Sequence, residues 1–311
     1  MNYPAYFDSK NSLKLFGFQD NFKFLSTLYK INNLPKVLMF TGNKGSGKAT
    51  LVNHFLFSIF DEKNYNKTNF SLLNTSILYK EFKNDIFSNI IHLKGSDFNP
   101  VKIEDIRFLK KQIFQSTILN KDRFIILDDI ELFNANSLNA LLKIIEEPSK
   151  NNYFFLINNK SRPLLKTIKS RAIEIKIILN ENQRLEIINN LIKFFQIELI
   201  LDPKISQLSP GNFIKFNHIF KEYEISLADD LIENLTLLLS LYKKKKDILF
   251  INIAYFLVDF YFKNLNDKKI HKNDNNYEIK NFILENLNSF LMYNMNQNAL
   301  INSLHDKLNN G

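Results

Sequence analysis

The sequence predicts an α/β domain with a mainly parallel sheet, followed by a small helical lid and an all-helical C-terminal domain. Three observations carry this. Three of the chain's seven glycines, Gly42, Gly45 and Gly47, fall within six residues, between a short apolar strand-like run and a run of helix length. Strand-like and helical stretches alternate up to about residue 179, which implies a parallel sheet covered on both faces. From Asn180 onward the pattern changes to helical stripes with little strand character. At 311 residues, 45% hydrophobic and 23% charged, the chain is a folded globular protein too long for one core. The expected borders are 1–179, 180–220 and 221–311.

The elements follow in order. Residues 37–40 read as a buried strand and 51–60 as a helix without a breaker. Ile103, Ile106, Leu109 and Ile113 make an apolar stripe at helical spacing over 102–115. Residues 124–127 form a buried strand that ends in Asp128 and Asp129. Asn136 then caps a helix carrying Leu138, Leu141, Leu142 and Ile145 on one face, closed by Pro148. A further apolar run covers 153–157. In the helical remainder, SPGN at 209–212 reads as a turn, and the polar stretches 243–247 and 264–276 read as exposed loops.

Composition excludes several chemistries. Without cysteine there is no disulfide, no thiolate zinc site and no cysteine nucleophile. The five histidines, at 54, 92, 218, 271 and 305, are too scattered to suggest a metal cluster. The N-terminal stretch lacks the apolar core of a signal peptide. The apolar run 248–258 stops at Asp259, short of the roughly 20 residues that a membrane span needs. Both features lead to the expectation of a cytoplasmic protein without membrane contact. A net charge of +9 suits a partner with phosphates, but spread over the chain it decides little. The lysine run 243–246 reads as a solvated face sooner than a DNA contact.

The chemistry concentrates in GNKGSGKAT, which has the form of a phosphate-cradling loop with Lys48 in place. Its last position holds Ala49, which has no hydroxyl for magnesium, although Thr50 is adjacent. Asp128 and Asp129 end a strand, as the acidic residues that hold magnesium and orient water must. Asn158 and Asn159 follow the third strand, where a polar side chain can read a terminal phosphate or simply cap the strand end.

The stretch NALLKIIEEP at 139–148 and TIKSRA at 167–172 resemble the signatures of bacterial DNA polymerase clamp loader subunits, members of the AAA+ ATPase superfamily. The resemblance covers roughly residues 15 to 180. The family's four-cysteine zinc module is missing, so no zinc is expected. Ala49, the shorter acid Asp129, and uncharged Gly211 and Asn212 where a basic phosphate sensor would stand imply a site for ATP and Mg²⁺ that is weak or vestigial. The chain is most similar in this to the delta-prime branch, the stator that closes the loader ring. That branch implies partners: the motor gamma or tau subunits, delta, the sliding clamp, and primed DNA through the complex. It also makes Arg171 the arginine given in trans to a neighbour's ATP. Within this resemblance Gly42, Gly45, Gly47, Lys48, Ala49, Thr50, Asp128, Asp129 and Asn158 line the chain's own site. Rival readings are a hydrolysing motor subunit and a nucleotide-free scaffold.

Overall fold

The computed structural model describes residues 3–96, 100–114, 121–267, 273–293 and 295–309. These divide into two compact units, one of residues 3–199 with 207–215 and one of residues 200–206 with 216–309.

In the first unit the chain runs α1 (Gln19–Lys30), β1 (Val37–Thr41), α2 (Lys48–Phe60), β2 (Tyr65–Asn66), β3 (Ser71–Leu72), α3 (Ile77–Lys83) and β4 (Ile90–Lys94). It continues through α4 (Ile103–Phe114), β5 (Arg123–Asp128), α5 (Ala135–Ile145), β6 (Asn152–Asn158), α6 (Lys166–Lys169), β7 (Ile173–Lys176) and α7 (Glu181–Phe195). Five parallel strands lie in the order β4-β5-β6-β1-β7. β2 and β3 form a separate antiparallel pair.

The central strands are buried on both faces, which is why they read as continuous apolar runs. Alternate residues serve two cores. Leu38, Phe40, Phe124, Ile126, Phe155 and Ile157 join residues of α1, α2 and α3 in one cluster. Val37, Met39, Ile125, Leu127, Phe154 and Leu156 join residues of α4, α5 and α6 in the other. The first cluster is strongly aromatic. Phe124 stacks on Tyr153 with ring centroids 5.1 Å apart, and Phe55 and Phe60 meet Phe124 edge-on. Edge-to-face and offset contacts of this kind add about 0.5–1.5 kcal/mol per pair beyond area burial.

The second unit contains α8 (Pro203–Ser206), most of α9 (Pro210–Glu222), α10 (Leu231–Lys245), α11 (Ile248–Asp267), α12 (Asn273–Tyr293) and α13 (Gln297–Asn309). α10 packs on α11 and α13, and α12 packs on α11 and α13.

The expected strands and helices are present, with local corrections. Asn134, not Asn136, caps α5: its side chain accepts the Ser137 N–H at 2.7 Å, leaving Asn136 in the first turn. SPGN is a helix start rather than an internal turn, because Pro210 opens α9, where the missing N–H costs nothing. Lys243, Lys244 and Lys245 belong to the last turn of α10, and their charge suits the helix C-terminus. Three of the four lysines in that run also stand over aromatic rings of their own unit: Lys243 over Phe290, Lys245 over Tyr223 and Phe250, and Lys246 over Tyr242. α11 does not stop at Asp259, whose carboxylate pairs with Lys280 at 2.7 Å, so the helix runs on into the stretch expected as a loop. Residues 248–265 are therefore long and apolar enough for a bilayer by length and composition. Their buried side chains, including Phe250, Ile253, Ala254 and Val258, nevertheless make α11 the core helix of the unit. Of the expected loop 264–276, residues 268–272 lie outside the described residues, as does Gln115 of the expected helix.

His54 illustrates how tightly α2 is held. Its ring is fully buried, 3.2 Å from the Tyr65 hydroxyl and 3.3 Å from Ser12 Oγ. Desolvation lowers its pKa from 6.5 to about 3. The unfolded chain takes up this proton near pH 6.5 while the fold refuses it, so the contribution is complete above that pH and is lost as pH falls toward 3. Urea unfolding at several pH values should show stability dropping by up to about 1.4 kcal/mol per pH unit in this window, and His54→Gln should remove that part of the slope.

Candidate functional site

The loops after β1, β5 and β6 gather at the C-terminal edge of the sheet, the usual place for ligands in open parallel sheets. β1 is the strand at which the order reverses, since β6 pairs on one side of it and β7 on the other. The glycine-rich loop springs from its end.

Each feature of that loop has a local cause. Gly42 donates its N–H to the Asn158 carbonyl at 3.2 Å, and a Cβ there would stand 2.3 Å from the Ile177 carbonyl oxygen, so only glycine fits between the neighbours of β1. Gly45 and Gly47 have φ of +79° and +97°, left-handed values that favour glycine. α2 then begins at Lys48, three residues earlier than the apolar run suggests. The Lys48 side chain is buried and turned back onto its own loop. Its Nζ donates to the carbonyls of Gly42 and Asn43, both at 2.8 Å, and to Ser46 Oγ at 3.3 Å. Burial lowers its pKa to about 8, against the opposing pull of Asp128, Glu131 and Asp129.

The acidic strand end is built into a hydrogen-bonded frame. Asp128 Oδ1 accepts the Asp129 N–H at 3.0 Å, and Lys94 at the end of β4 lies 3.4 Å from Asp128 Oδ2. Asp129 is buried with φ of +52° and accepts from Asn159 Nδ2 at 2.5 Å. Burial, then the neighbouring Asp128 charge, holds its carboxyl above the usual range. Asn158 caps its own turn by accepting the Lys160 N–H at 2.9 Å.

Two further residues enter this frame that the motifs do not single out. Glu131 is buried, and its Oε1 accepts from Asn159 N, Ser161 N and Ser161 Oγ at 3.0, 3.3 and 2.8 Å, tying the loop after β6 to the strand end of β5. Ser209 donates to the Lys44 carbonyl at 2.7 Å, and the Gly211 N–H donates to the Gly45 carbonyl at 2.8 Å. The first turn of α9 thus sits directly on the phosphate loop, at the place where the uncharged Gly211 and Asn212 were noted. A proline-glycine pair opening a helix was the available signal for this contact, whereas the spacing of Glu131, two residues past the aspartates, gave none.

Arg171 occupies a separate part of the surface, between α6 and β7. Leu164 and Ile168 bury the preceding turn in the second core cluster, leaving Lys166, Lys169 and Ser170 exposed around the arginine. The Arg171 side chain is 32% exposed. Its Nε donates to Glu146 Oε1 at 2.9 Å, Nη2 reaches the same oxygen, and Nη1 donates to the Thr167 carbonyl at 2.9 Å. The structure therefore brings together the loop glycines, Lys48, Ala49, Thr50, Asp128, Asp129 and Asn158 around one edge, and sets Arg171 apart from them.

A parallel sheet of this order, with a glycine-rich loop after the strand where the order reverses and an acidic strand end beside it, defines an AAA+-type phosphate-loop domain, here followed by a helical C-terminal unit. The chain belongs to the family described as DNA polymerase III, delta subunit, whose model matches residues 18–180, just over half of its length. It is similar to the DNA polymerase III subunit delta' of Buchnera aphidicola subsp. Schizaphis graminum, 29% identical over 214 residues, which cover 65% of this chain and 63% of the relative. The match thus spans just under two thirds of that relative. The DNA polymerase III subunit gamma of the same organism is 24% identical over 181 residues, 58% of this chain and 48% of gamma. Among solved structures, a DNA polymerase III gamma subunit-related protein of Thermotoga maritima aligns over 90% of this chain and 96% of its own at 14% identity, with a TM-score of 0.42. The resemblance read from the NALLKIIEEP and TIKSRA stretches is borne out at the level of the family.

The contact between the loop and α9 leaves no room for a side chain at Gly45. An alanine Cβ at Gly45 would meet Ser209 Oγ at 2.6 Å and the Asn212 nitrogen at 2.8 Å, in a left-handed backbone. Gly45→Ala should cost about 1–3 kcal/mol in urea unfolding, whereas Ser209→Ala, which removes one half-exposed hydrogen bond, should cost less than about 1 kcal/mol.

Proposed function

We propose that the chain is the stator subunit of the DNA polymerase III clamp loader, helping to place a sliding clamp on primed DNA and lending Arg171 to the ATP site of a neighbouring subunit. The observation that carries this reading is the contrast between two cationic side chains. Lys48 is buried and satisfied by its own loop, while Arg171 is partly exposed on a basic turn. A guanidinium supplied in trans neutralises charge developing on the transferred phosphoryl group, an effect worth ~10³–10⁵ in rate in well-studied GTPases. Lys166 and Lys169 add to a potential that suits a polyphosphate on the facing subunit.

The chain's own loop fits ATP only in part. Gly42, Gly45, Gly47 and Lys48, with the first backbone N–H groups of α2 at Ala49 and Thr50, provide the backbone of a phosphate cradle. To act on a phosphate, Lys48 must first give up the Gly42 and Asn43 carbonyls. The residues do not fit the usual Mg²⁺ site: Ala49 has no hydroxyl, and Asp129 is held by Asn159 with its carboxyl pushed toward the neutral form. ATP binding of its own is therefore weak or vestigial in this reading, and no step of the loader's chemistry runs through this loop. Asn158, bound to its own turn, acts here as a strand-end cap. With no cysteine there is no zinc module.

Its partners are the motor gamma or tau subunits, delta, the sliding clamp, and primed DNA reached through the assembled complex, in the cytoplasm. The lid and C-terminal regions, 180–220 and 221–311, serve the ring and collar. A motor role is disfavoured by Ala49, Asp129 and the uncharged Gly211 and Asn212, while the inward-turned Lys48 is the one feature that favours a nucleotide-free scaffold.

DNA-stimulated ATP hydrolysis by the reconstituted loader with its clamp tests the reading, once assembly of each variant has been checked. Arg171→Ala should lower turnover at least about tenfold, and Lys48→Ala should leave it within about twofold. The reverse pattern would identify a motor subunit.

A further inference from the structure

We propose that Glu146 is the positioning residue for Arg171, holding the guanidinium ready with two donors free for a phosphoryl group. This rests on the reading of Arg171 as a trans-acting arginine. Guanidinium carries five N–H donors in a planar fork. Among the described residues three are used, by Glu146 Oε1 twice and by the Thr167 carbonyl once, which leaves two. Two is the number that a bidentate grip on phosphate oxygens requires.

The geometry is set before any partner arrives. Glu146 is the cap residue that ends α5, next to buried Ile145, and Arg171 follows buried Ile168 of α6. Ile145 and Ile168 lie in the same core cluster, so core packing, and not the surface pair itself, sets the two backbone segments within reach of each other. That matters because an exposed ion pair alone contributes little to stability. Its effect here lies in orientation: with Nε and both terminal nitrogens engaged, the long side chain gives up its rotamer freedom in the folded chain and not at the moment of binding. One Glu146 oxygen takes both bonds on its side, and the side chain remains about a third exposed. NALLKIIEEP and TIKSRA thus form one device, the first supplying the carboxylate and the second the arginine.

A double-mutant cycle in the reconstituted loader tests this through DNA-stimulated ATP hydrolysis. Assembly is followed by size-exclusion chromatography and folding by thermal unfolding. Glu146→Ala should lower turnover about three- to tenfold, the lower part of the range over which contacting residues couple. Glu146→Gln, which keeps an acceptor oxygen but loses the charge, should fall between wild type and Glu146→Ala. In the Arg171→Ala background, Glu146→Ala should have no further effect, because a residue that acts only through the arginine has nothing left to position. A structural role for Glu146 would instead add its loss to that of Arg171→Ala, and this outcome overturns the proposal. So does unchanged or faster turnover for Glu146→Ala in a loader that Arg171→Ala slows, since Glu146 would then be idle or would compete for the guanidinium. If Arg171→Ala itself changes nothing, the reading of the arginine fails and the proposal goes with it.

Discussion

The pairing of β1 with a parallel neighbour on each edge is the constraint on which the rest of the domain depends. Its register with β6 runs from Val37 opposite Phe154 to Thr41 opposite Asn158, and β7 fixes the other edge from Leu38 to Thr41. Both faces are covered by side chains of different clusters. The strand can neither slide nor roll without exposing Phe40 or Met39, and the chain leaving it at Gly42 has one course available. The loop, the start of α2 and the acidic end of β5 inherit their positions from that single strand.

The same pairing relates the two cationic centres. Arg171 lies two residues before β7, the edge strand whose register β1 sets, and Lys48 opens the helix that follows β1. They differ in what satisfies them. Lys48 meets carbonyl dipoles of its own loop in a buried setting that lowers its affinity for a proton to a pKa of about 8, whereas Arg171 lies at the surface beside a carboxylate. Buried cations are costly unless paired, and dipoles compensate less than an anion does. The lysine of the loop is thus tied into its own backbone, while the arginine stands on a different element with its charge at the surface.

Much of this was legible in the sequence because it rests on short-range rules. Crowded glycines mark left-handed backbone, an apolar run before them marks a doubly buried strand, and Asp128 marks where such a strand ends. The misreadings fall where tertiary context decides. Asn134 and Asn136 are both competent caps, and only the tertiary position of Ser137, whose hydroxyl donates to the Val101 carbonyl at 2.5 Å, selects the first. β4 and β7 escaped notice because they are edge strands whose residues are only partly covered, so their hydrophobic signal is weak. Contacts across long sequence separations, such as Ser209 with Lys44 or Glu131 with Ser161, leave no periodic trace. Charge runs mislead for a different reason: a lysine stem and an aromatic ring pack well, so the run at the end of α10 decorates its own unit.

The aromatic core has a consequence for how this chain can change. Phe124 touches Tyr29, Phe55, Phe60, Tyr153 and Phe155, so that one ring is held by five others at fixed tilts. Flat, rigid plates interlocked at defined angles tolerate replacement less well than flexible aliphatic chains, which fill a gap by changing rotamer. A change to any one ring of this layer must therefore be matched by changes around it if the others are to keep their tilts.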